Sequence, residues 1–96
     1  MRTSVWKFPL SVADVQNVRM PKNSEVLSVA VQADQLCIWA LVELDQEAEE
    51  IHTIATLGTG HTRTDLSGSD VGFIGTVLLA GGSLVFHVFD LGVADG

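Results

Sequence analysis

The amino-acid sequence predicts an all-β domain, a single small antiparallel sandwich or barrel of about six to seven strands with little helix. Three observations carry this expectation. Short runs rich in β-branched and aromatic residues recur along the 96 residues, with turn-forming clusters between them. No segment combines a strong helical period with capping residues. The uncharged stretch 71–89 (VGFIGTVLLAGGSLVFHVF) is broken by Ala80-Gly81-Gly82-Ser83 into two strand-like arms. A run of that length would also be read as a membrane span. Here it is bounded by Asp70 and Asp90 with no Lys or Arg nearby to anchor it, so a hairpin in water is expected and no membrane association.

The elements follow in order. Residues 5–10 alternate Trp6, Phe8 and Leu10 around Lys7, with Pro9 placing the strand at an edge or a bend. Residues 11–20 are ambiguous, because Ser11 before Asp14 resembles a helix cap and Val12, Val15 and Val18 recur at helical spacing. Three valines make a poor helix, so a strand over 15–20 is preferred, ended by Pro21 and the turn Lys22-Asn23-Ser24. Residues 25–32 alternate cleanly, Ala33-Asp34 turns the chain, and 35–42 (QLCIWALV) return with apolar side chains on both faces. That pattern predicts a central strand covered on each side, with Trp39 in the core. Residues 43–50 form an acidic connection, 51–57 another strand, and 58–70 a long polar loop. The hairpin 71–79 with 83–89 completes one domain over residues 1–96, its core spanning about 4–90 and residues 91–96 forming a flexible tail.

Composition narrows the class. With 47% hydrophobic and 18% charged residues the chain is too apolar to be disordered. A domain this small hides only about 60–65% of the surface of its unfolded chain, so a homodimer would complete its burial. The formal net charge is −7, and residues 23–96 hold eleven acids against Arg63 alone. Such a balance disfavours direct nonspecific nucleic-acid binding and suits docking onto a basic partner. Cys37 is the sole cysteine, and the N-terminal MRTSVWKFPL lacks the features of a signal peptide, so a cytoplasmic setting is expected.

Two groups of residues are candidates for function. The acidic tract Glu43, Asp45, Glu47, Glu49 and Glu50 could imitate a row of phosphates and dock onto a macromolecule; its plainer reading is a solvated connector. In the loop GTGHTRT, Gly58 and Gly60 would let backbone N–H groups converge on an anion or nucleotide. His61, Arg63 and Thr64 would add donors, although the lysine and spacing of a P-loop are absent and a surface turn is the plainer reading. His52, His61, His87 and Cys37 show no metal-ligand spacing, no nucleophile motif is present, and His87 reads as a hydrogen-bonded core residue. No catalytic residue, metal or cofactor is therefore expected, and Trp6 is expected to be partly exposed.

Taken together, WKFPL (6–10), Met20-Pro21, LSV (27–29) with Gln32, WALV (39–42), GTGH (58–61), IGTV (74–77) and LVFHVF (84–89) resemble a family of short phage and prophage proteins known as a domain of unknown function. The resemblance spans about residues 5 to 90 and brings no catalytic residue with it. It implies a phage accessory role, expected to be a non-enzymatic, anti-defence factor. Such a factor would bind and block a host protein or ribonucleoprotein, as an anti-CRISPR inhibitor does. The alternatives are a sponge that sequesters a nucleotide immune signal through the 58–64 loop, and a phage structural or replication accessory protein.

Overall fold

Strands and tight turns account for nearly the whole chain in the computed structural model, which describes residues 1–67 and 71–94. In chain order the strands are β1 (Thr3–Pro9), β2 (Val15–Pro21), β3 (Glu25–Gln32), β4 (Gln35–Glu43), β5 (Glu49–Gly58), β6 (Gly72–Leu79) and β7 (Leu84–Val93). A single 3₁₀ turn, Ala80–Gly82, joins the last two. They form two antiparallel sheets, β1-β4-β3 and β2-β5-β7-β6, packed as a sandwich.

Turn chemistry sets the hairpins. Ala33 and Asp34 both adopt positive φ (50° and 62°), the pattern of a two-residue type I′ turn, and Gln32 pairs with Gln35 across it. Gly81 and Gly82 (φ 66° and 93°) reverse the chain between β6 and β7, so the uncharged stretch is indeed a hairpin. Among the described residues no helix is long and apolar enough to cross a membrane. The ambiguous segment after Ser11 is a strand. Gln16 uses its amide to bond both the N–H and the carbonyl of Ser11, and β2 then pairs with β5 from Val15↔Ala55 to Pro21↔Glu49.

The core lies between the sheets. Leu36, Ile38, Ala40 and Val42 project inward from β4 and meet Met20, Ile54, Val77 and Val88 from the opposite sheet, with Leu10 closing one end. Each large aliphatic side chain buried here contributes about 1.5–3 kcal/mol. The sheets approach most closely where β3 passes β6. A Cβ on Gly75 would lie 2.9 Å from Val29 Cγ1, so only glycine fits there.

Two expectations are corrected. The tail does not begin at Leu91, because β7 continues to Val93 and the Ala94 N–H bonds the Ile51 carbonyl at 2.7 Å; Asp95 and Gly96 lie outside the described residues. Strand β4 is central in its sheet but not covered on both sides: Trp39 and Leu41 face outward and are half-buried, while Ile38 and Ala40 face the core. The polar loop after Gly58 can be followed to Ser67, and its Gly68-Ser69-Asp70 end lies outside the described residues.

Gly75→Ala tests the closure of the sandwich. Overpacking against the stiff Val29 side chain is expected to cost about 1–3 kcal/mol in urea unfolding. Adding Val29→Ala removes the clash, so the double variant should unfold at a higher urea concentration than Gly75→Ala with Val29 intact.

Candidate functional site

Strand β5 ends in the GTGH turn. The His61 N–H donates to the Gly58 carbonyl at 3.1 Å, and Gly60 holds φ +84°, the signature of a type II turn. This fold-back lays the His61 ring on Gly58, where an added Cβ would stand 2.8 Å from Nδ1. Thr59 then bonds the His87 Nε2 at 2.6 Å through its hydroxyl, and Thr76 holds the His87 Nδ1 at 3.0 Å. His87 is therefore hydrogen-bonded as expected, yet half-buried on the outer surface rather than in the core.

Beneath His61 opens a cleft of about 90 Å³, lined by Val12, Ala13, Asp14, Thr56, Gly58, His61 and Phe86. Thr56 is 4% exposed, and its hydroxyl has no hydrogen-bond partner among the described residues. The Asp14 carbonyl accepts from the Thr56 N–H (3.0 Å) and from Arg63 Nη1 (3.2 Å), which ties the chain before β2 to the loop after β5.

Arg63 does not present its charge to a ligand. Its fork is closed on Asp65, with Nε to Oδ1 at 2.9 Å and Nη2 to Oδ2 at 2.6 Å, and the side chain is only 16% exposed. Hydrogen bonding to Arg63 holds the Asp65 carboxyl below its ordinary range, and the same contact raises the guanidinium above its own. Of the five loop residues singled out in the sequence, Gly58, Gly60 and His61 shape one turn, Arg63 is paired within the loop, and Thr64 is exposed beyond it.

The acidic tract is divided in the same way. Glu43 ends β4 and accepts from Gln46 at 2.8 Å, Asp45 pairs with Arg2 at 3.0 Å, Glu49 lies 3.9 Å from Arg19, and Glu47 is exposed. Glu50 belongs to a cluster that the sequence reading missed. His52 is 4% exposed and places Nε2 2.6 Å from Glu50 and Nδ1 3.1 Å from Asp90. Through these two contacts, one on each ring nitrogen, the imidazole bridges β5 to β7. The remaining oxygens are also used: Glu50 accepts from the Asn23 N–H and Asp90 from the Gly92 N–H. The alternation Glu50-Ile51-His52 was legible as one strand face, whereas Asp90 comes from 38 residues away.

The outer face of the β1-β4-β3 sheet is a further candidate surface. Across the strands it carries the rows Val5–Leu41–Glu25, Lys7–Trp39–Ser28 and Pro9–Cys37–Ala30. Val5 is 51% exposed and Leu27, at the bulge in β3, 47%. Glu43, paired with Thr3, stands at one end of the face.

A family model described as a domain of unknown function (DUF7352) matches residues 1–95. The chain belongs to the DUF7352 family. No curated protein and no solved structure matches the chain. Membership covers both sheets, both candidate surfaces and the GTGH turn of this DUF7352 domain.

Two measurements check this geometry. His52→Leu removes the ring that bridges Glu50 and Asp90, leaving both carboxyl groups without that partner, and should destabilise the domain by roughly 3 kcal/mol in urea unfolding. Adding Glu50→Gln and Asp90→Asn should recover part of that loss. Because the Asp65 carboxyl is held low, its ion pair is intact above the usual carboxylate range and is lost only as pH falls through the lowered value. Carboxyl NMR should place the Asp65 midpoint below the value of about 3.9 for an unstructured aspartate, and Arg63→Ala should return it there.

Proposed function

We propose that this DUF7352 protein is a non-catalytic docking protein that seats the outer face of β1-β4-β3 on a protein partner. The observation that carries the reading is Trp39, half-buried at the middle of a sheet face that turns away from the core. Tryptophan is the side chain most enriched among residues that dominate binding energy, and it does so from the centre of a patch that excludes water. Lys7 and Ser28 flank it across the strands, Val5, Leu27, Leu41 and Ala30 lie in the neighbouring rows and at the β3 bulge, and Glu25 and Glu43 stand toward one end. An apolar centre with a polar rim is the usual anatomy of an interface. Glu43 gives the predicted acidic edge a share in this surface, while Asp45, Glu49 and Glu50 are engaged with Arg2, Arg19 and His52 of their own chain.

The phage setting expected from the resemblance makes a host protein the natural partner and obstruction the natural mode of action, with no chemistry required. The nucleotide-sponge reading has less support, because Arg63, its main phosphate ligand, is closed on Asp65.

A quantitative pull-down from the bacterial host, repeated with the captured protein after purification, tests this. Trp39→Ala should weaken binding at least tenfold, matching a loss of about 2 kcal/mol for a central aromatic anchor. Leu41→Glu should abolish it, and Glu47→Gln should leave it unchanged. Full binding by both Trp39→Ala and Leu41→Glu would remove the face from consideration.

A further inference from the structure

We infer that the outer face of the β2-β5-β7-β6 sheet is a self-association surface, on which a second copy of this chain seats the same face to form a symmetric dimer. Ile54, Val77 and Val88 project from this sheet into the core, so their neighbours along each strand project away from it. Strand register aligns those outward side chains into rows. One runs Val15–Ala55–Phe89–Phe73 across all four strands, and Val85 pairs with Leu78 nearer the β6–β7 turn. Phe73 meets Phe89 edge to face at 5.6 Å and is still 61% exposed, and Leu78 is 57% exposed. Only the Thr76–His87 pair separates these two apolar groups on β6 and β7. Scattered apolar side chains on a surface need no explanation, whereas a contiguous patch marks a place where something docks.

Charge, polar bonding and area point to a second copy as the occupant. A net charge of −7 makes most of the molecular surface repel another copy. The rows named above hold no charged side chain, and Arg19 and Glu49, further along β2 and β5, lie 3.9 Å from one another. A strongly basic or acidic partner finds no complementary charge here, while a second copy brings a face as neutral as this one. The His87 ring in the middle of the patch is bonded at both nitrogens within its own chain, to Thr59 at 2.6 Å and Thr76 at 3.0 Å. Covering it therefore strips neither nitrogen of a partner, and that part of the face closes without the cost of an unsatisfied polar group. Four strands about 4.8 Å apart, with a rise of about 3.3 Å per residue, give a face of roughly 500 Å² on each copy. Two such faces reach the roughly 1,000 Å² that a specific contact needs and fall short of the standard 1,600 Å², so the dimer is concentration-dependent rather than obligate. Two-fold pairing of identical patches is the commonest way for a small domain to complete its burial. The Trp39 face lies on the other sheet, stays open in such a dimer, and the inference does not rest on it.

Sedimentation equilibrium of the intact protein, from about 5 to about 500 µM, tests this, with circular dichroism to show that each variant is folded. The parent should approach twice the mass of one chain as its concentration rises. Phe73→Glu and Leu78→Glu, both at exposed positions, should each weaken dimerisation at least tenfold by setting a carboxylate in the patch. Leu27→Glu, on the opposite sheet, should leave it unchanged. In a sample that mixes isotope-labelled and unlabelled copies, intermolecular NOEs should involve the Phe73 and Phe89 rings and the Leu78 methyl groups. The inference is overturned if the parent keeps the mass of one chain at the highest concentration, or if the dimer survives Phe73→Glu and Leu78→Glu combined. It is also overturned if Leu27→Glu dissociates the dimer, which places the contact on the Trp39 face. A monomer that captures a different protein and loses it on Phe73→Glu overturns it too and gives the face to that partner.

Discussion

The register of β4 is the constraint on which the rest of this domain depends. Its inward residues, Leu36, Ile38, Ala40 and Val42, are each at most 2% exposed and form one wall of the core between the sheets. Because side chains alternate, a slip of one residue would exchange this set for Cys37, Trp39 and Leu41. Both sets are apolar, so hydrophobicity alone cannot choose between them. The choice is made by volume and by the turn. Trp39 is too large for the place that Ala40 occupies opposite Val26, and the Ala33-Asp34 turn fixes which residues of β3 and β4 stand opposite one another. The core thus obtains a close fit, and the surface is left with a tryptophan face that folding alone does not require.

The uneven charge of the chain has a structural meaning once the sheet order is known. Edges β3 and β6 approach each other where Gly75 faces Val29, so the open edges of the sandwich belong to β1 and β2. Arg2, Lys7, Arg19 and Lys22 lie on or beside those two strands, and Pro9 and Pro21 end them. Cations and prolines on an exposed edge discourage pairing with another chain. Two of these cations reach the acidic residues around the start of β5, where Arg2 meets Asp45 and Arg19 approaches Glu49. What reads along the sequence as a basic segment followed by an acidic one is, in the fold, two edges and the connection that they partly neutralise.

Strand positions were legible because the turn signals are strong. β3 runs over Glu25–Gln32 as its alternation indicates, and the Gly81-Gly82 reversal makes a hairpin of a stretch long enough to suggest a membrane span. Position along the chain could not show which face of β4 would be covered, since that depends on how two sheets stack. It could not show that Arg63 would close on Asp65 either, because the loop geometry that brings them together rests on Gly60 and on the Asp14 carbonyl far away in sequence. The His52 cluster was half visible. Glu50 and His52 share a strand face, and Asp90 joins them only because β7 pairs with β5.

Gly58 shows how one missing side chain connects these levels. As the last residue of β5 it pairs with Phe86 and continues the sheet, so its backbone is fixed by the fold. Because it has no Cβ, the His61 ring can lie within van der Waals reach of that backbone, and the type II turn through Gly60 carries it there. The ring then covers a space that the core does not fill, lined in part by Thr56, two residues back on the same strand face. A larger residue at position 58 would push the imidazole outward and uncover that space. The four-residue GTGH string thus folds a polar ring back onto the end of the strand from which it emerges.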